Sequence, residues 1–191
     1  YMIPPAVALL SAILKKQGHK SEIFDLTFYA SDHGIDSDGS RAEILNALPF
    51  NMEDRNIRLK TSDWKIDLSA KVKRFQPDLI AISSTEDMWE LGVRVLEEIK
   101  EYKINNNIPV IAGGVFPTFA PALACKLLGE SADFIFKGEG ETIVGDLCYR
   151  LENNKNVEDM PGLYMIGRRG EVVNNSLPKP IDSTEATIPD Y

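Results

Sequence analysis

The sequence predicts a doubly wound α/β domain on a mostly parallel sheet, and three observations carry that reading. Leu79–Ser84, Val110–Gly114 and Ala132–Phe136 are short apolar runs of the kind that fill a strand covered on both faces. Between and after them, Glu86–Tyr102, Phe119–Leu128 and Glu141–Leu151 show apolar residues at helical spacing, such as Leu91, Val95, Leu96 and Ile99. Strands alternating with helices of this length imply right-handed βαβ units. The chain of 191 residues is long enough for one well-buried core.

The remaining elements follow in order. Residues 4–17, PPAVALLSAILKKQ, predict a helix with Pro5 in its first turn and Gly18 as its stop. Residues 21–26, SEIFDL, predict a strand. Residues 27–66 are polar and irregular, longer than a usual α/β connection, with a short helix expected around Arg41–Leu48. A helix is expected over Asp67–Phe75, with Asp67 or Ser69 near its start. Residues 162–176, GLYMIGRRGEVVNNS, predict a β-hairpin turning at Arg169-Gly170. The tail beyond Leu177, rich in Pro, Ser, Thr and Asp, has linker composition. A doubly wound domain ordinarily opens on a strand, and this chain opens on a helix. The expectation is therefore that the first strand is missing from it and that another domain follows the tail.

Composition narrows the partners. The net charge is −8, and the short basic clusters Lys71, Lys73, Arg74 and Arg168, Arg169 are ordinary solvated surface. That argues against nucleic acid and against an anionic membrane surface. No apolar run is long enough to span a bilayer and no signal peptide is visible, so a cytoplasmic protein is expected. Two cysteines, Cys125 and Cys148, supply neither a disulfide framework nor a four-thiolate site, and both fall on amphipathic helices as buried free thiols. His19 and His33 are not spaced as a metal pair, and no metal-ligating or catalytic residue is assigned.

Ligands of open α/β sheets bind beyond the carboxyl ends of the strands. Three segments there carry unusual chemistry. Ser83, Ser84 and Thr85 offer three hydroxyls to a polar ligand, or cap the helix expected from Glu86. Gly113 and Gly114, followed by Phe116, Pro117 and Thr118, let a ligand approach the backbone, or make a tight turn at positive φ. A bulky residue at Gly114 is expected to block such an approach, and to spare the fold only if its φ is negative. This is neither a phosphate loop nor a G-x-G-x-x-G fingerprint. Gly138-Glu139-Gly140-Glu141 puts two carboxylates beside a helix start, where the dipole favours them; a paired acid–base role would need a substrate-shaped site between them.

The order PPAVALLSAILKKQGHKSEIFD, PDLIAISS, IPVIAGGVFPTFAPALA, ADFIFKGEGET, then the hairpin and a tail ending IPDY, resembles the cobalamin-binding domain found upstream of the barrel in radical SAM enzymes. AGGVFPT and FKGEGE are its most specific parts, and the likeness runs from Pro4 to Tyr191 apart from the 27–66 insert. The resemblance implies a flavodoxin-like sheet with cobalamin on its carboxyl-end face. Ser83, Ser84 and Thr85 would line the pocket of the nucleotide tail, and Gly113 and Gly114 would let that tail pass close to the backbone. Phe116, Pro117 and Thr118, and Gly138, Glu139, Gly140 and Glu141, would border the corrin. The D-x-H-x-x-G motif of histidine-ligating members is absent, since Asp32-His33-Gly34 has another spacing and another place. The C-x-x-x-C-x-x-C motif is absent too, so S-adenosylmethionine and a 4Fe-4S cluster would belong to a downstream domain of the same polypeptide.

The expected division is residues 1–154 as the cobalamin-binding-like domain and 155–191 as hairpin and linker toward the barrel. The expected function is positioning of the corrinoid for methyl transfer or radical chemistry, with no catalysis by this chain alone. Two alternatives are a cofactor-free scaffold or substrate-gating domain, and a stand-alone α/β enzyme using Glu139 or Glu141 as a base.

Overall fold

A computed structural model describes residues 4–27, 29–30, 43–44, 54, 56–166, 172–174, 176–178, 180 and 188–189. Asp32-His33-Gly34, the Arg169-Gly170 turn and nearly all of the expected Arg41–Leu48 helix lie outside these residues.

Strands β1 (Ile80–Ser83), β2 (Val110–Gly113) and β3 (Phe134–Phe136) are parallel and adjacent. Ile80 pairs with Val110 and Ser83 with Gly113, so the carboxyl ends of β1 and β2 are level. β4 (Leu163–Ile166) joins β3 antiparallel, with Phe136 opposite Leu163, and β5 (Val172–Asn174) closes the hairpin against β4. The hairpin predicted over 162–176 thus forms, and it extends the sheet in the order β1-β2-β3-β4-β5.

Helices cover both faces. Helix α1 (Pro5–Lys16) has Pro at its first position and stops at Gly18, whose φ is +89°. Helix α2 (Trp64–Phe75) starts earlier than expected, because the Asp63 carboxylate accepts from Lys65 N at 2.9 Å and caps it. The helix predicted over Glu86–Tyr102 is two helices, α3 (Trp89–Glu98) and α4 (Lys100–Asn106), parted where Ile99 leaves helical geometry at φ −102° and ψ 6°. The stretch after β2 likewise divides into α5 (Val115–Phe119) and α6 (Pro121–Leu128). A 3₁₀ turn over Gly140–Thr142 precedes α7 (Val144–Glu152).

Strand alternation sorts two apolar layers. Val110, Ala112 and Ile135 point to the side of Leu68, Leu96, Ala124 and Leu128, from α2, α3 and α6. Ile111, Phe134 and Phe136 point to the other side, with Leu147 of α7, Met160 and Leu163. Leu147, Met160 and Leu163 are fully buried, each contributing about 1.5–3 kcal/mol of apolar transfer energy. Helix α1 packs beside α7 and the 140–142 turn on this second side. Asp133 pins the lower edge: its carboxylate accepts from Val110 N at 2.7 Å and pairs with Lys103 at 3.1 Å.

Residues 21–26 are not a strand, contrary to expectation. Their apolar alternation finds no ladder partner among the described residues. Side chains of α2 hold the segment instead: Lys71 Nζ donates to Ile23 O at 2.6 Å, and Arg74 pairs with Glu22 at 2.7 Å. Beyond them Tyr29 forms an isolated parallel bridge with Lys60, and its ring is buried against Phe24.

The Tyr29 hydroxyl donates to Asp67 at 2.8 Å, and Ser62 donates to the same oxygen. Those bonds hold the Asp67 carboxyl below its usual range, Ser62 contributing most, while burial and then the Asp67 bond push the Tyr29 phenol up to about 12. The folded pKa of Tyr29 therefore exceeds the unfolded value of about 10. Its stabilisation is complete below about pH 10 and is lost as pH rises through about 12. Denaturant titrations of Tyr29→Phe should lose stability less steeply than the parent across that window. Equal slopes would mean that the phenol titrates as it does in water.

Candidate cofactor edge

The carboxyl ends of the parallel strands form one continuous polar edge. Ser83 and Gly113 are in register, and Ser84 N donates to Gly113 O at 3.4 Å. Gly114 has φ +110° and ψ −167°, a region open essentially to glycine alone. A β-carbon on it would lie 2.8 Å from Ser84 O and 3.1 Å from Ser83 Oγ. Its bareness therefore lets one strand end pack on the next.

Thr118 braces the following step. Its hydroxyl donates to Gly114 O at 2.8 Å and accepts from Gly138 N at 3.2 Å, tying the loop after β2 to the loop after β3. Gly138, at φ +105°, has Pro178 within 3.4 Å of where its β-carbon would stand. The chain leaving the hairpin thus returns to this edge, and Gly162 N donates to Ser176 O at 2.6 Å just before it.

The structure brings together Ser83, Ser84, Gly113, Gly114, Thr118 and Gly138. It turns others away. Phe116 is a correction: its ring is buried in the core against Trp89, with centroids 4.9 Å apart, so it supports the edge from beneath and does not line it. Thr85 bonds Asp87 in the next turn, and Ser84 Oγ donates to Thr85 O at 3.1 Å. None of the three hydroxyls caps α3, whose N-cap Met88 has no side-chain bond. Glu139 is exposed on the turn beyond Gly138, where its backbone oxygen accepts from Thr142 Oγ1. The expected thiols are free, with Cys125 buried and Cys148 half-buried, and burial pushes both thiol pKa values up.

Sequence reasoning missed what lies beside Ser83. Residues alternate across a strand, so Ala81 and Ser83 share the face of their partners Ile111 and Gly113. On that face Ala81 and Ser83 are exposed, and a β-carbon on Gly113 would meet only the Phe136 β-carbon, at 3.9 Å. No described helix covers this patch. It is a flat floor of small residues, closed on one side by Phe136 and carrying the Ser83 hydroxyl. The signal lay in the small residues of LIAISS, with Ala81 two positions from Ser83.

A flat apolar floor with a hydroxyl at its rim is suited to a planar ring bearing hydrogen-bonding groups. Ligands of open α/β sheets bind at such an edge, beyond the carboxyl ends of the parallel strands. The model of the B12 binding domain family matches residues 1–147, and the chain belongs to that family. Cobalamin is its cofactor, and a bare surface with one hydroxyl at its rim has the chemistry to take a flat ring with polar edges. Among the described residues no cluster of three or more His, Cys, Asp or Glu is placed to hold a separate metal ion. Nor is any helix among them long and apolar enough to cross a membrane.

Relatives agree with this fold. The chain is 28% identical over 127 residues to an uncharacterized methyltransferase, PH0819, of Pyrococcus horikoshii, covering 65% of this chain and 27% of that protein. It is 36% identical over 77 residues to the anaerobic magnesium-protoporphyrin IX monomethyl ester cyclase of Synechocystis, covering 39% of this chain and 14% of that one. Among solved structures it superposes on the radical S-adenosylmethionine methyltransferase TsrM of Kitasatospora setae, with cobalamin and a 4Fe-4S cluster bound. The TM-score is 0.65 at 19% identity, over 98% of this chain and 28% of that one. On the cobalamin-dependent S-adenosylmethionine radical enzyme OxsB, with aqua-cobalamin and S-adenosylmethionine bound, the TM-score is 0.65 at 19% identity. That match covers 93% of this chain and 20% of OxsB. The chain therefore spans less than a third of each of these proteins.

Proposed function

We propose that this chain is the cobalamin-binding module of a radical SAM enzyme, holding the corrinoid for methyl transfer or radical chemistry in a neighbouring domain. The observation that carries the reading is the open floor of Ala81, Ser83 and Gly113 at level strand ends. The relatives support it, because two of them are cobalamin-dependent radical enzymes of S-adenosylmethionine. When bound, cobalamin supplies a cobalt that carries a methyl group or an electron; S-adenosylmethionine and the 4Fe-4S cluster belong to the other domain.

This chain's own part is binding and orientation. Ser83 presents its hydroxyl to a polar edge of the nucleotide base. Gly113 leaves the floor bare for the ring, while Phe136 walls it on the β3 side. The Thr118 hydroxyl ties the loop at Gly114 to the loop at Gly138, and this rim would hold the corrin. Residues 1–154 then form the binding unit, and 155–191 form the sheet's closing hairpin and the connection onward. Adding hydroxocobalamin to the full-length protein should shift the corrin absorbance and saturate at one equivalent. A titration with no spectral change and no retained corrinoid after gel filtration overturns the reading in favour of a cofactor-free scaffold.

A further inference from the structure

Among the described residues one buried side-chain nitrogen or oxygen has no hydrogen-bond partner, the indole Nε1 of Trp89. Trp89 opens α3 and is 4% exposed. Its ring lies against Phe116, two residues past Gly114 in the first turn of α5. One turn further along α3, a β-carbon on Gly92 would stand 3.2 Å from Ile82 Cδ1 and 3.7 Å from Ser84 Cβ. The indole therefore bridges the starts of the two helices that leave the cofactor edge, one after β1 and one after β2. Packing there needs only an apolar ring. The N–H is a cost to the isolated fold, because a buried donor without an acceptor has given up water for nothing.

Resting on the function proposed above, we infer that Trp89 is a specificity-determining residue of the cofactor site, its indole N–H donating to an oxygen of the nucleotide tail. Three observations choose that acceptor. The indole N–H is a donor only, and a nucleotide presents phosphate and sugar oxygens that accept. Helix α3 is seated on the Ser84 side of the edge, where the base is proposed to lie beside Ser83, and not on the Gly138 side, where the corrin is proposed to rest. The segment leading into Trp89 is exposed at Thr85, Glu86 and Asp87, and it is bonded internally, Ser84 Oγ to Thr85 O at 3.1 Å and Trp89 N to Glu86 O at 3.2 Å. It can shift as one piece while β1 and β2 stay paired, and that shift opens the buried N–H to the tail.

The test compares two corrinoids on the full-length protein: hydroxocobalamin, which carries the nucleotide tail, and cobinamide, which lacks it. Trp89→Phe keeps an aromatic ring beside Phe116 and removes the N–H. Its affinity for hydroxocobalamin should fall about tenfold or more, as for one lost hydrogen bond to the ligand. Its affinity for cobinamide should stay at the parent's, which also verifies that the variant is folded. A second measurement is made on the isotope-labelled parent. One indole N–H resonance, retained in Trp64→Phe, should move downfield with hydroxocobalamin and stay in place with cobinamide. Equal losses for both corrinoids, no loss for either, or a resonance that moves with neither overturn the inference and leave the cofactor reading standing. If Trp89→Phe binds neither corrinoid, the resonance of the parent decides. A parent that binds neither corrinoid overturns the cofactor reading, and the role of Trp89 falls with it.

Discussion

Gly114→Ala is expected to lower the unfolding free energy by about 2–5 kcal/mol, combining strain at a φ and ψ open only to glycine with overpacking. The added methyl must meet Ser84 O at 2.8 Å, and backbone on backbone has no flexible end to yield. The edge residues would separate, so ligand binding would fall together with stability. Urea denaturation checks it: the midpoint should fall with the slope unchanged, because the same surface is exposed on unfolding. A midpoint within experimental error of the parent would mean that the loop relaxes, and that the close packing of the two strand ends contributes nothing.

Gly113→Leu should separate binding from folding. Its backbone is not at positive φ, and the first side-chain atom meets only the Phe136 β-carbon at ordinary contact distance. A leucine there stands on the floor beside Ser83, where the planar base of cobalamin is proposed to lie. Affinity for hydroxocobalamin should drop roughly a hundredfold or more, the equivalent of about 2.7 kcal/mol, while the urea midpoint stays near the parent's. Ser83→Ala removes one hydrogen bond and should cost about tenfold or less. Undiminished affinity in Gly113→Leu would put the ligand elsewhere and take the floor out of the site.

The contrast between these two glycines shows how far the sequence could be read. LIAISS, VIAGG and ADFIF announced the three parallel strands, because a short apolar run between helices has few other places to go. The hairpin was equally plain from RRG between two alternating runs. But Gly113 and Gly114 are the same letter twice, and only backbone torsion tells that one faces the floor and the other faces Ser84. Phe116 looked like part of the rim because it is near it in sequence, yet the turn of α5 sends it inward to Trp89. Residues 21–26 misled for a different reason. Alternation describes a strand's two faces, while a ladder also needs a neighbour, and α2 supplies side chains to that segment in place of one. The break at Ile99 left no mark in a pattern whose apolar spacing runs straight through it.

The Thr118 hydroxyl joins its own loop to Gly138, twenty residues further along the chain. A bond across the ends of β2 and β3 is expected to form after they pair, and a Thr118→Ala φ-value near zero would show it. Contacts made late leave the speed of folding alone and slow the way out. The brace therefore governs how long the rim, once assembled, persists: it sets a lifetime for the ligand-ready edge, independent of how quickly a new chain reaches it.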